Sequence, residues 1–217
     1  RLIPRDIPVI LDCKRGDIDS TAAAYAQSAY DIITPSSVAA VTLSPYMGWD
    51  SVKPFVTGAY SNKGAFVLCK TSNPSSPDLQ DRKLSGGQHL FEGVLDLCNK
   101  WNKEKLEESD SNGQPRVGIV AGATNVPALS KIRSLSPSIW ILCPGVGAQG
   151  GDCASVCAAG LRKSDASGLL VAVSRGISRA EDKTEAAKAL RDQVNESRKA
   201  MRTSKAKEVG TGVSEKS

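Results

Sequence analysis

No run of about 18 apolar residues occurs anywhere in the 217-residue sequence, so nothing in it reads as a membrane-spanning helix. No charged start leads into a long apolar segment, so no secretory leader is expected. Aromatic residues are scarce, at 5%, and a core must therefore rest on Val, Ile, Leu and Ala. Histidine is nearly absent. His89 stands alone, far in sequence from Cys153 and Cys157, which would share a helix face, so no metal site is expected. A strong charge of one sign is also missing: 28 basic and 23 acidic residues leave a net charge of +5. That is too mild, and too poor in interleaved aromatics, to imply nucleic acid. It suits an anionic small substrate, or simply a solvated surface.

What is present is ordinary globular composition, 40% hydrophobic and 24% charged, in a length that suits one domain or at most two. Six cysteines are present. Cys13, Cys69 and Cys143 each end an apolar stretch, as small buried residues at strand ends do. Without an export signal, reduced thiols in a cytoplasmic protein are the expectation.

Short β-rich runs alternate with helix-like segments. Strands are expected over 7–11, 38–43, 65–69, 116–121, 139–143 and 169–173. Helices are expected over 19–30, 49–58, 88–107, 126–134, 152–161 and 180–201, with a long polar loop over 70–87. No hairpin signal separates the strands. Repeated β-then-α order means right-handed crossovers and a parallel sheet, with chemistry at the C-terminal strand ends. Residues 203–217 have no apolar periodicity and read as a disordered tail or linker after a domain over 1–202.

Three clusters stand at expected strand ends. In Asp12-Cys13-Lys14-Arg15-Gly16-Asp17, Asp12 and Lys14 are two apart and share a face. A carboxylate beside an ammonium holds it charged and aims it, and such a lysine can protonate a developing carbanion. A purely structural ion pair at a barrel rim fits the spacing as well. The second cluster, Pro144-Gly145-Val146-Gly147-Ala148-Gln149-Gly150-Gly151-Asp152, offers backbone N–H groups at a helix start and a Gln149 donor to an anion. The third is Ser174-Arg175-Gly176, where an arginine can fork two bonds onto phosphate.

The string from Asp12 through Ile18 to Thr21 closely resembles the Asp-x-Lys-x-x-Asp-Ile-x-x-Thr signature of orotidine 5′-phosphate decarboxylases. The resemblance continues through Ser44-Pro45-Tyr46-Met47-Gly48, Lys70-Thr71-Ser72-Asn73-Pro74, the 144–151 glycine-rich string and Ser174-Arg175-Gly176. It covers residues 7–178 in order. The Thr-Ser-Asn-Pro and Pro-Gly-Val-Gly-Ala-Gln-Gly-Gly strings are similar to the branch typified by many bacterial enzymes.

The resemblance implies a (β/α)8 TIM barrel that converts orotidine monophosphate to UMP and CO2 without cofactor or metal. It implies that Asp12 faces the substrate carboxylate and that Lys14 protonates C6. Asp17 and Thr21 would reach across a homodimer interface. Ser72 would bond the pyrimidine, and Gln149, Arg175 and Gly176 the phosphate. The 70–87 loop would be a lid. By the same resemblance, the first two barrel strands are missing from this chain, which begins at Arg1 and reads as N-terminally truncated. The tail would lead toward a fused orotate phosphoribosyltransferase, such as many eukaryotes carry. Two alternatives stand beside this reading. One is a Mg-dependent phosphosugar decarboxylase of the same superfamily, against which the Thr-Ser-Asn-Pro string argues. The other is an inactive barrel fragment or interaction module.

Overall fold

The computed structural model describes residues 3–4, 6–33, 38–106, 115–147 and 150–211. They fall into two compact units, residues 1–120 and 121–217. The first unit begins with β1 (Val9–Arg15) and α1 (Asp19–Gln27), which runs into a π-helical turn, Ser28–Ile33. It continues with β2 (Val38–Leu43), α2 (Trp49–Val56), β3 (Gly64–Lys70), α3 (Pro77–Gln80), α4 (Leu90–Lys105) and β4 (Val117–Ala121). The second holds α5 (Val126–Leu135), β5 (Ile141–Pro144), α6 (Cys153–Gly160), β6 (Leu169–Ala172), α7 (Arg175–Ser178) and α8 (Lys183–Thr211).

Sheet order follows chain order, β1-β2-β3-β4 in the first unit and β5-β6 in the second. The pairs β1–β2, β2–β3 and β5–β6 are parallel, as the β-then-α alternation requires. This succession is that of a (β/α)8 barrel, of which the described residues hold six strands.

Strands buried on both faces carry near-continuous apolar sequence. In β2, Val-Ala-Ala-Val-Thr-Leu, only Ala39 is exposed, and β4 is buried throughout. The covering helices bury one stripe each. On α2 that stripe is Ser51, Val52, Phe55 and Val56. On α4 it is Phe91, Leu95, Cys98 and Trp101. Trp49 and Trp101 meet at 5.7 Å. In the second unit Arg133 replaces apolar packing with a hydrogen-bond hub. Its guanidinium donates to the carbonyls of Ser136, Pro137, Ile139, Gly160 and Gly168. Burial, with Arg162 nearby, pushes its pKa down to about 10.

Three sequence expectations shift. Strand β1 runs to Arg15 instead of ending at Leu11, so Asp12 and Lys14 lie inside it. The 70–87 segment is not a plain loop. It contains α3, it meets the start of α4 through a Lys83–His89 bridge, and the Leu90 N–H bonds the Arg82 carbonyl. The last helix continues to Thr211, because Lys, Glu, Ala and Arg sustain helix without an apolar stripe. Helix therefore replaces the first part of the tail expected over 203–217, and residues 212–217 lie outside the described set.

Candidate active site

The register of β1 on β2 explains the local geometry. Leu11 pairs with Val41, and the next pair is Arg15 with Leu43. Residues 12–14 therefore face Thr42 alone, which makes a β-bulge at the strand's end. Lys14 absorbs the extra length with a left-handed backbone, φ 46°. That conformation is strained for a lysine and persists only where its surroundings hold it.

The bulge brings Asp12 and Lys14 together. Lys14 Nζ lies 2.6 Å from Asp12 Oδ1, with both side chains more than half exposed. The same oxygen accepts from Thr42 Oγ1 at 2.8 Å, and Thr42 Oγ1 accepts from the Lys14 N–H at 3.0 Å. Partial burial pushes the Asp12 carboxyl up, but hydrogen bonds from Lys14 and Thr42, with the Lys14 charge, outweigh it and leave the pKa below its usual 3.8. The pair is thus an ionised carboxylate under a lysine ammonium that opens to solvent.

Asp17 does not join that pair. Its Oδ1 accepts from the Ile18 N–H at 2.9 Å, and α1 starts two residues on. Thr21 lies exposed on α1. Gly16 lets the two strand ends close up: a Cβ there would stand 2.9 Å from Ser44 Cβ, and the Ser44 N–H donates to the Arg15 carbonyl at 2.7 Å.

At the end of β3, Ser72 is half-buried and sits on a clamped segment. The Thr71 N–H donates to Gln80 Oε1, and Gln80 Nε2 returns a bond to Thr71 Oγ1. Lys70, 3% exposed, reaches Asp81 Oδ1 at 2.7 Å and Ser76 Oγ at 3.3 Å. The pairing of β1, β2 and β3 places Lys14, Ser44 and Ser72 at one end of this unit's sheet.

In the second unit, Pro144 pairs with Ala172, so the segments after β5 and β6 leave the sheet side by side. Gly145, Gly147 and Gly150 have positive φ, and a Cβ at Gly151 would lie 2.6 Å from Ala123 Cβ. The glycine-rich turn uses its own donors: the Gly147, Gly150 and Gly151 N–H groups bond the carbonyls of Gly151, Gly147 and Gly145. Asp152 caps α6 by accepting from the Ser155 N–H at 2.8 Å, and those bonds hold its carboxyl pKa down. Of the backbone donors expected at that helix start, the Ser155 N–H is taken by the protein's own Asp152 carboxylate. Arg175 and Gly176 are exposed at the first positions of α7. Gln149 lies outside the described residues.

Thr42 is the residue that sequence reading missed. Its one signal is a hydroxyl in a strand otherwise made of Val, Ala and Leu. Among the described residues no group of three or more His, Cys, Asp and Glu side chains is arranged for a metal, and no helix is long and apolar enough to cross a membrane. All six cysteines are free thiols.

A family model described as orotidine 5′-phosphate decarboxylase / HUMPS family matches residues 1–190. The chain is 48% identical over 164 residues to the orotidine 5′-phosphate decarboxylase of Verminephrobacter eiseniae, which covers 74% of this chain and 54% of that protein. A Toxoplasma gondii crystal structure assigned as an orotidine-monophosphate decarboxylase superposes with a TM-score of 0.84 at 44% identity, over 92% of this chain and 70% of that one. The UMP synthase of Leishmania donovani superposes with a TM-score of 0.78 at 45% identity, over 90% of this chain and 40% of that one. The chain spans about half the length of several curated relatives it matches.

Proposed function

This chain belongs to the orotidine 5′-phosphate decarboxylase / HUMPS family, and on that footing we propose that it decarboxylates orotidine 5′-phosphate to UMP. The observation that carries the reading is the Asp12–Lys14 pair at 2.6 Å on the bulged end of β1. In the reaction the bond from C6 to the carboxylate breaks and its electron pair stays on C6. CO2 leaves, and a proton passes from Lys14 Nζ to C6. The Lys14 ammonium opposes the developing charge as well as donating the proton. The Asp12 carboxylate holds that nitrogen at 2.6 Å and faces the substrate carboxylate, disfavouring the bound ground state.

The remaining roles are carried over from the family resemblance, residue by residue. Ser72 bonds the pyrimidine from the clamped segment after β3. Arg175 grips the phosphate, with Gln149 and the Gly176 N–H as further donors. Binding energy from the phosphate, remote from the reacting carbon, positions the base. Asp17, which accepts from the Ile18 N–H, and Thr21, exposed on α1, would serve the second site of a homodimer, as the family resemblance implies. No cofactor or metal takes part. On this reading it acts in the cytoplasm, in the last step of de novo pyrimidine synthesis. A fused orotate phosphoribosyltransferase belongs to the reading as a companion domain, supported by the likeness to a UMP synthase.

The test offers orotidine 5′-phosphate to the chain before and after thorough chelation and measures CO2 release. Release unchanged by chelation supports the reading. Release abolished by chelation and restored by Mg2+ would contradict the metal-free reading. No release, with UMP bound, leaves an inactive barrel fragment.

A further inference from the structure

We propose that Thr42 is a positioning residue for the Asp12–Lys14 pair, its hydroxyl fixing both the Lys14 backbone and the Asp12 carboxylate. The inference rests on the decarboxylase reading above. Thr42 is 1% exposed, so its hydroxyl must find partners within the protein. It has one proton to give and lone pairs to accept. The proton goes to Asp12 Oδ1 at 2.8 Å, and the Lys14 N–H comes to the oxygen at 3.0 Å. One neutral group thereby holds the lysine by its backbone and, through Asp12, by its ammonium.

The need for such a group follows from the bulge. Residues 12–14 of β1 have only Thr42 opposite them, so ordinary ladder bonds do not hold them. Lys14 sits at φ 46°, and that backbone needs an outside restraint. Thr42 can supply one because it is itself fixed. Its Cβ branch limits χ1, and its other side is paired to Phe66 on β3. A lysine side chain has four rotatable carbons' worth of freedom, and a proton donor off target by about 1 Å loses most of its rate. The hydroxyl carries no charge, so its effect is on geometry, and substrate affinity is set elsewhere.

The experiment compares the full chain with Thr42→Val, which keeps the shape and removes the hydroxyl, and Thr42→Ser, which keeps the hydroxyl. Thermal melts establish that each variant is folded. In Thr42→Val, kcat should fall about ten- to a hundredfold, the range for a lost hydrogen bond to a charged group. The dissociation constant for UMP should stay within about twofold, since ground-state binding does not use the hydroxyl. Thr42→Ser should recover most of kcat. Hydrogen exchange of the Lys14 amide should speed up at least about tenfold in Thr42→Val and not in Thr42→Ser. A folded Thr42→Val with unchanged kcat, or a Thr42→Ser as slow as Thr42→Val, overturns the proposal. If the unmodified chain turns over no orotidine 5′-phosphate, the functional reading is lost instead. The positioning role then stands or falls on the Lys14 amide exchange alone.

Discussion

The ion pair between Lys70 and Asp81 is lopsided, and its two halves should respond differently to removal. Lys70 is 3% exposed, whereas Asp81 is 36% exposed, and the two meet at 2.7 Å. Asp81→Ala strands the ammonium in the interior with only the Ser76 hydroxyl at 3.3 Å. Uncompensated buried charges cost about 3–5 kcal/mol, which the partial exposure of Asp81 scales down to roughly 2 kcal/mol. Lys70→Met fills the same space without charge and leaves a carboxylate that water already reaches, for a cost of about 1 kcal/mol. In a chain of this size, each kcal/mol moves Tm by about 2–4 °C, so the two variants should separate clearly. The double variant should be more stable than Asp81→Ala alone. Urea unfolding of the four proteins is the assay. A Lys70→Met variant at least as damaging as Asp81→Ala would refute the reasoning, because burial of the ammonium would then not set the cost.

Gly16→Ala should push the ends of β1 and β2 apart, because its Cβ would lie 2.9 Å from Ser44 Cβ; a loss of about 1–3 kcal/mol by chemical denaturation is expected, and an unchanged midpoint would show the ends are not in contact. The Asp12 carboxyl, followed by NMR, should titrate below 3.8 and rise in Lys14→Ala. Its native pKa is lowered, so its small, solvent-screened contribution to stability is present above 3.8 and fades as pH falls through the native value. An unmoved midpoint in Lys14→Ala would disconnect the pair. Burial pushes Cys69 and Cys143 up to about 12, Cys157 up to about 11 and Cys98 well above its usual value, so these four should resist a disulfide reagent at pH 8 until the chain unfolds. Rapid reaction of Cys98 in the native protein would contradict its burial.

The fold was legible because its signals are local. Apolar runs such as 117–121, set between helix-like segments, need no tertiary information to read as parallel strands, and β4 lies there. Strand ends were less legible. Lys14 and Arg15 do not advertise extended structure, yet β1 reaches Arg15 because β2 pairs with it beyond the bulge. The Asp12–Lys14 neighbourhood was legible from spacing, since both lie on one short stretch, but the bulge that closes the contact was not. Thr42 did not, because its partners are 28 and 30 residues away and only the register brings them together. The same holds for Asp152. As a sequence feature it closes a glycine-rich string suited to an anion, and in the fold it caps α6 through the Ser155 N–H. The lysine–aspartate clamp under Ser72 was hidden for a similar reason, as α3 lies in a Pro- and Ser-rich stretch that reads as loop.

The most direct test of the decarboxylase reading follows the ultraviolet absorbance of orotidine 5′-phosphate with the unmodified chain and with Lys14→Ala. Loss of substrate with the unmodified chain and none with Lys14→Ala, while both bind UMP, is the predicted result. Equal loss with both proteins would contradict the assignment of Lys14 as the proton donor.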